Sequence, residues 1–209
     1  GRRGSAVYGT LWGITRNYWA PDIDYVDGRY YLVVTCDEKL GLAISDSLMG
    51  PFLAVGDTPM YSNSIDGHIF VDDDGRVYGY WGFDKSYAAE LDPVTMATVK
   101  EGTEIINLIP ARTEDTTFRF FEASSIRKIE DKYVFVYSRW TNEGEFGLPS
   151  TNFTLAYAYS DNPLGPYTYG GTLIDGRGRD TDEHGNVIRT AYPSGNTHGS
   201  ICEINGKWW

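Results

Sequence analysis

Three ionisable residues occupy similar places in the chain. Asp66, Glu122 and His198 each stand three or four residues ahead of an isoleucine in a strand-like segment. Two carboxyl groups on either side of a water-accessible pocket can hydrolyse a glycosidic bond, because one donates a proton to the leaving oxygen while the other stays ionised. Their environments must then separate their pKa values. The sequence predicts an acid–base site if the fold brings these positions together.

Each of the three residues also has a purely structural explanation. Asp66 can be a turn residue that bonds nearby backbone amides, and Glu122 can be a solvated charge at the end of a strand. His198 can be a partly buried histidine or a metal ligand. For any one residue alone these explanations are the more common, and only the shared position favours a joint function.

The elements that would position these residues are β-hairpins. Four segments share a polar or small entry, a short apolar strand, an acidic or Asn-Gly turn and an aromatic-rich strand. They span residues 19–35, 65–82, 121–140 and 197–209. The first and third hairpins are each followed by a further strand, a Ser-Asp pair and a Gly-Pro turn. These segments are residues 42–52 and 156–167.

This repeated module indicates a β-propeller. A four-stranded antiparallel unit that recurs at roughly 50 residues is typical of a propeller blade. A β-sandwich would explain the strands but not the repeat, and it is the alternative. The innermost strands of a propeller line one axis, so residues that enter them converge. Residues 101–117 and 175–196 are expected to be loops between blades.

Composition narrows the range of partners. The chain has 209 residues with 29 acidic and 18 basic side chains, a net charge of −11, so nucleic acids and anionic membranes are not expected partners. Aromatic residues reach 15%, which suits strands and surfaces that face carbohydrate. Cys36 and Cys202 lie in apolar segments and are expected to be buried free thiols.

Five motifs carry a resemblance to a known family. They are WAPDI at 19–23, SIDGHIFVDDDG at 64–75, FEASSI at 121–126, the paired Ser-Asp/Gly-Pro turns and HGSICEINGKWW at 198–209. In order and spacing they resemble glycoside hydrolase family 43. The resemblance implies an all-β, five-bladed β-propeller. Residues 1–209 would form a single catalytic domain, truncated at both ends, with part of blade 1, blades 2–4 and the start of blade 5.

The family cleaves arabinose- and xylose-containing plant glycans with inversion. The resemblance therefore implies an α-L-arabinofuranosidase or β-xylosidase that acts on plant cell-wall polysaccharides or oligosaccharides. An endo-arabinanase of the same family and a carbohydrate-binding propeller without catalysis are the alternatives. An extracellular, a periplasmic and a cytoplasmic location in a bacterium all remain open.

Roles for individual residues follow from the resemblance. Glu122 matches the general acid, and Asp66 matches the aspartate that orients this acid and modulates its pKa. Trp19 matches an aromatic residue that lines the sugar pocket, and Trp81 is expected to offer a second apolar face to the sugar. His198 matches a histidine that lies beside a structural calcium ion, often through water. No other cofactor is expected.

The third carboxylate of the family, the general base, has no match in the chain. The family's base aspartate lies upstream of the WAPD segment, and residues 1–18 contain no aspartate. Asp22 does not match it. The base is therefore expected outside this chain, and the chain by itself is expected to be inactive.

Overall fold

The structure consists mainly of β-strands, with two short 3-10 turns at Leu11–Gly13 and Glu145–Gly147. This computed structural model describes residues 11–14, 18–57, 59, 64–147, 150, 152–175, 179–181, 183–184, 187–189 and 197–209. Within those residues no helix has the length and apolar character needed to cross a membrane. The chain divides into two compact units, residues 1–83 with 87–105 and residues 84–86 with 106–209.

The strands of the first two sheets follow one another in chain order. The first sheet contains β1 (Tyr18–Val26), β2 (Arg29–Cys36), β3 (Lys39–Ser45) and β4 (Leu53–Ala54). The second contains β5 (His68–Val71), β6 (Val77–Trp81), β7 (Tyr87–Leu91) and β8 (Ile105–Ile106). Neighbours pair antiparallel from β1 to β4 and from β5 to β7.

Tight turns set the register of the first unit. Asp27 and Gly28 join β1 to β2 with φ values of 48° and 85°, the positive pair that a two-residue hairpin turn requires. The acidic run that begins at Asp72 is likewise a turn, in which the Gly75 amide donates to the Asp72 carbonyl oxygen at 2.9 Å. These turns confirm two of the predicted hairpins.

One core cluster of the first unit lies between its two sheets. Apolar side chains of β2 and β3 pack against those of β5 to β7, among them Val33, Leu40, Leu42, Ile69, Val77, Trp81 and Leu91. A Cβ atom added to Gly67 would lie 2.7 Å from Val33 Cγ1, so only glycine allows this approach. The segment that leads into β5 is therefore held tightly against β2.

The second unit contains a third sheet of the same kind. Its strands are β9 (Phe120–Ile129), β10 (Lys132–Trp140), β11 (Phe153–Ser160) and β12 (Thr168–Asp175). All three pairings are antiparallel. Two short hairpins follow, β13 (Arg179–Thr181) with β14 (Val187–Arg189), and β15 (Glu203–Ile204) with β16 (Lys207–Trp208). Four-stranded sheets that begin at Tyr18, His68 and Phe120 confirm the predicted blade units.

The two Ser-Asp/Gly-Pro segments also have matching geometry. The hydroxyl oxygens of Ser45 and Ser160 each accept the backbone N–H two residues ahead at 3.0 Å. The glycine amides of the following Gly-Pro pairs each donate at 2.9 Å to a carbonyl three residues back. The repeat inferred from sequence is thus a repeat of structure.

Three expectations need correction. The segment 101–117 was expected to be loop but contains β8, and the segment 175–196 contains β13 and β14. Cys36 is buried as predicted, but Cys202 is exposed. The reason is local, because Cys202 pairs through its backbone with Trp209 beside the β15–β16 hairpin, whose strand residues are all exposed.

Candidate active site

Glu122 is the most deeply buried of the candidate acid–base groups. It is the third residue of β9, is 3% exposed, and pairs with Ser138 of β10 next to an irregularity in the register. Its Oε1 atom lies 2.7 Å from Nε2 of His198. One proton can occupy this hydrogen bond, so the imidazole donates to the ionised carboxylate or accepts from the neutral acid.

The local packing fixes His198 beside Glu122. A Cβ atom added to the next residue, Gly199, would lie 2.8 Å from Leu155 Cδ2, so the backbone here lies directly on β11. The hydroxyl groups of Ser200 and Ser125 are hydrogen-bonded at 2.7 Å, which ties the segment to β9. These contacts bring together two groups that are far apart in sequence.

Two buried hydroxyl groups add hydrogen-bonding capacity close to Glu122. The Oγ atoms of Ser138, its cross-strand partner, and of Ser124 are buried and have no partner among the described residues. Unsatisfied buried hydroxyl groups are uncommon in proteins and call for a water molecule or a ligand. Hydroxyl-rich ligands could supply the missing partners.

An aromatic cluster supports the strand end that bears Glu122. The ring centroids of Phe121, Trp140 and Phe153 lie 4.4–4.5 Å from one another. Asp84 accepts a hydrogen bond from the Trp140 indole N–H at 2.9 Å, and its own amide donates to the Phe121 carbonyl at 2.7 Å. Asp84 therefore links β9 and β10 directly beside Glu122.

Asp66 lies in the first unit in an unusual backbone conformation. It is 8% exposed, and its φ of 54° is in the left-handed region that aspartate adopts only occasionally. Its backbone N–H donates to the hydroxyl oxygen of Thr35 at 3.3 Å. Strain of this kind persists where surrounding contacts enforce it and is frequent at functional sites.

A β-bulge in β1 sets the orientation of Trp19. Trp19 pairs with Thr35 and Asp22 pairs with Val33, so β1 contains one more residue than β2 over this interval. Cross-strand partners share a face, and Thr35 and Val33 lie on the same face of β2. The bulge therefore places Trp19 and Asp22 on that same face, whereas regular alternation would separate them.

A second histidine–carboxylate pair lies on this face of β1, with a buried histidine and a partly exposed aspartate. Nδ1 of His68, 1% exposed, lies 2.6 Å from Asp22 Oδ2. Asp24 completes a group whose possible ligand atoms lie within 4.8 Å of one another. Such a group could bind a divalent cation, and the hydrogen bond to Asp22 contributes to the position of His68 without one. The sequence left the orientation of His68 undecided.

Trp19 also lines a surface pocket of about 430 Å³ in the first unit. Its side chain is 48% exposed. The other lining residues are Glu38, Ser64, Ile65, Gly82, Phe83 and Tyr87. The Ser64 hydroxyl oxygen is buried and has no partner among the described residues. Aromatic faces with a carboxylate and a hydroxyl group are the usual lining of a sugar-binding pocket.

The sequence profile of the glycosyl hydrolases family 43 matches residues 6–209. The chain belongs to this family. Its relatives include a xylosidase/arabinosidase from Humicola insolens, 31% identical over 94% of the chain and 65% of the relative. A β-xylosidase from Xylanibacter ruminicola is 29% identical over 94% of the chain and 65% of its own length. The chain thus spans just under two thirds of the length of these relatives.

Solved structures give the same assignment for this family 43 chain. It resembles an α-L-arabinofuranosidase from Clostridium thermocellum, with a TM-score of 0.68 and a sequence identity of 26%. The match covers 91% of this chain and 59% of the arabinofuranosidase chain. It also resembles a family 43 enzyme from Xanthomonas citri complexed with xylotriose, with a TM-score of 0.69 and 25% identity over 95% of this chain and 63% of the other. These likenesses confirm the predicted β-propeller fold class.

The structure brings together some of the predicted site residues. Glu122 and His198 are hydrogen-bonded, and Trp19 lines a pocket. Asp66 is described within the first unit, and its convergence with Glu122 stays a prediction. Trp81 is 5% exposed and packs in the core, where its ring is parallel to that of Tyr87 at 6.0 Å. A direct contact between Trp81 and sugar stays a prediction as well.

Sequence reasoning gave no role to two residues of this family 43 chain. Asp84 was not singled out, because its bonds to Phe121 and Trp140 join positions far apart in sequence. Asp22 was considered only as a general base, and its bond to His68 spans 46 residues. The proline at position 21 was the one local signal, since proline in a strand marks an edge or a bulge.

Proposed function

We propose that the protein is an inverting glycoside hydrolase that removes arabinofuranosyl or xylosyl residues from plant polysaccharides or oligosaccharides. The observation that carries this proposal is the buried Glu122 carboxyl held by His198 at 2.7 Å, near the start of β9. The names of the relatives, xylosidase/arabinosidase and β-xylosidase, support the same class of substrate.

The proposed reaction is a single displacement at the anomeric carbon. Glu122 protonates the departing glycosidic oxygen, while a base on the opposite face of the sugar activates water. Trp19 provides an apolar face for the sugar ring, and Asp66 is the proposed orienter and modulator of the acid. No residue of this chain is assigned as the base.

The residues around His198 bear on the expected calcium ion. Calcium prefers oxygen ligands, whereas His198 offers a ring nitrogen, and its Nε2 is already bonded to Glu122. A calcium ion would therefore contact His198 through a bound water molecule. No step of the proposed reaction requires the ion.

The experiment is a panel of nitrophenyl α-L-arabinofuranoside and β-xyloside assays on the full-length protein, with NMR detection of the anomer first released. Hydrolysis of either glycoside with inversion supports the proposal, and release of the retained anomer contradicts it. Activity on internal bonds of linear arabinan, with none on the nitrophenyl glycosides, would favour an endo-arabinanase. Sugar binding without hydrolysis would favour a binding propeller.

A further inference from the structure

A cluster of three arginines surrounds the end of β10 in the second unit. Arg139 is 2% exposed and donates to Glu145 at 2.9 Å and to the Thr117 carbonyl at 2.7 Å. Arg119 donates to the carbonyl oxygens of Trp140 and Thr141 at 3.0 and 2.9 Å. Both side chains are therefore committed to holding the backbone of β10 and the loop before β9.

The three guanidinium groups act on one another electrostatically. Burial and the charges of Arg139 and Arg112 lower the pKa of Arg119, and Glu145 is the one carboxylate that acts in the opposite direction.

Arg112 is the exposed member of the cluster. Its guanidinium carbon lies 4.1 Å from the centroid of the Trp140 ring. A guanidinium held over an aromatic face keeps its in-plane N–H groups available as a planar fork for a carboxylate. Among the described residues no carboxylate pairs with it. Glu114 accepts from Asn107, and Asp115 accepts from the backbone of its own loop.

The surface that presents Arg112 is rigid. The Trp140 indole is fixed by its hydrogen bond to Asp84 and by the rings of Phe121 and Phe153. Phe121 immediately precedes Glu122, so the same packing that supports the proposed acid also supports Arg112. Preorganised donors of this kind discriminate between ligands better than a mobile surface arginine does.

We propose that Arg112, presented on Trp140, forms a subsite for the carboxylate of an acidic sugar, a uronic acid substituent carried by the oligosaccharide substrate. This inference rests on the proposed glycosidase function, because it names which glycans that site would prefer. A neutral pentose chain has no group that needs a cationic fork, whereas a uronate would form two charge-assisted hydrogen bonds with it. The subsite would thus select decorated over undecorated chains.

Binding should be measured by titration calorimetry on the full-length protein with Glu122→Gln, so that no ligand is hydrolysed. The ligands are xylotriose, xylotriose bearing one glucuronic acid, and free glucuronic acid. We expect the acidic oligosaccharide to bind about tenfold more tightly than xylotriose at low salt, with a smaller advantage at high salt. Free glucuronic acid should bind far more weakly than either.

Substitutions then locate the discrimination. Arg112→Gln should abolish the preference, and Arg112→Lys should retain part of it, because lysine keeps the charge but not the fork. Arg127→Gln, a change to a β9 arginine bonded to the Ile126 carbonyl, is the matched control and should keep the preference. Far-UV circular dichroism checks that each variant folds.

Three results would overturn the inference: equal affinity for xylotriose and the acidic oligosaccharide, a preference that survives Arg112→Gln, or free glucuronic acid bound as tightly as the acidic oligosaccharide. The last result would mean capture of any carboxylate rather than a sugar subsite. Binding is measured without turnover, so the two proposals can fail separately. If the protein discriminates between the ligands but hydrolyses no glycoside, the glycosidase proposal is wrong and the carboxylate site stands.

Discussion

Oε1 of Glu122 lies 2.7 Å from Nε2 of His198, although the two residues are 76 positions apart in the chain. The carboxyl side chain is 4% exposed and the imidazole is 42% exposed. The hydrogen bond therefore connects a buried carboxyl group to a side chain that can exchange protons with solvent. The first prediction tests whether this carboxyl is the acid of the reaction.

Glu122→Gln should lower kcat on natural oligosaccharides by about 10²- to 10⁴-fold, the range typical of the loss of a general acid. An activated aryl glycoside should lose far less, because its leaving group needs little protonation. Steady-state kinetics on both substrates measures the difference. Glu130→Gln, in the exposed turn between β9 and β10, is the control. Equal losses on both substrates would contradict the assignment of Glu122.

Asp84→Ala should lower the free energy of unfolding by about 1–3 kcal/mol, because it removes the acceptor of the partly buried Trp140 N–H and places alanine at a φ of 53°. Asp84→Asn keeps an acceptor oxygen and should cost less. Urea unfolding followed by tryptophan fluorescence measures both. If Asp84 also positions Glu122, the alanine variant should reduce kcat on natural oligosaccharides more than on aryl glycosides. Identical stability of the two variants would show that the Asp84–Trp140 bond contributes little.

Asp22→Ala should also destabilise the protein by about 1–3 kcal/mol, because it removes a short hydrogen bond to the buried His68 side chain. Asp46→Ala is the matched control. Its side chain is 87% exposed and 3.4 Å from Arg29, and exposed pairs of this kind contribute roughly 0–1 kcal/mol. Urea midpoints for the two variants and the wild type test the difference. A loss no greater than that of the control would mean that the Asp22–His68 bond is not stabilising.

The two thiols should differ in reactivity. Burial raises the pKa of Cys36 to about 11, so this thiol stays protonated at pH 8 and gains thiolate character only at far higher pH. Cys202 is exposed. Brief alkylation of the native chain with iodoacetamide at pH 8 should add one label, at Cys202, and alkylation in denaturant should add two. Native labelling of Cys36 under those conditions would contradict the burial of its side chain.

The sequence predicted most of the fold because its hairpin signals are local. Asp27-Gly28 and the Asp72–Gly75 run determine their turns through backbone preferences of a few residues. Strand β8, with two residues, was missed because so short a strand leaves no alternation to detect. Cys202 was placed inside because its neighbours are apolar, although the short hairpin beside it has little to pack against.

The candidate site was only partly predictable for a related reason. The repeat assigned Glu122 and His198 to equivalent positions, which is enough to expect proximity. It could not reveal the Arg112–Trp140 stack or the Asp84–Trp140 bond, because these contacts depend on loops that the repeat does not include. Contacts between a loop and a strand follow from the tertiary structure and leave no periodic signal.

The bulge in β1 has a consequence for how this strand can vary in length. Trp19 pairs with Thr35, and Asp22 pairs with Val33. If one residue between Trp19 and Asp22 were removed, β1 would become a regular strand. Both residues would keep their partners and would stay on the same face of the sheet. If one residue between Asp22 and Val26 were removed instead, Trp19 would lie on the opposite face of the sheet. The reason is that the hairpin turn after Val26 fixes the register from which the strand pairing is counted. We expect related chains to lose a residue at positions 20–21 without altering the pocket, and to keep a constant length over the next four positions.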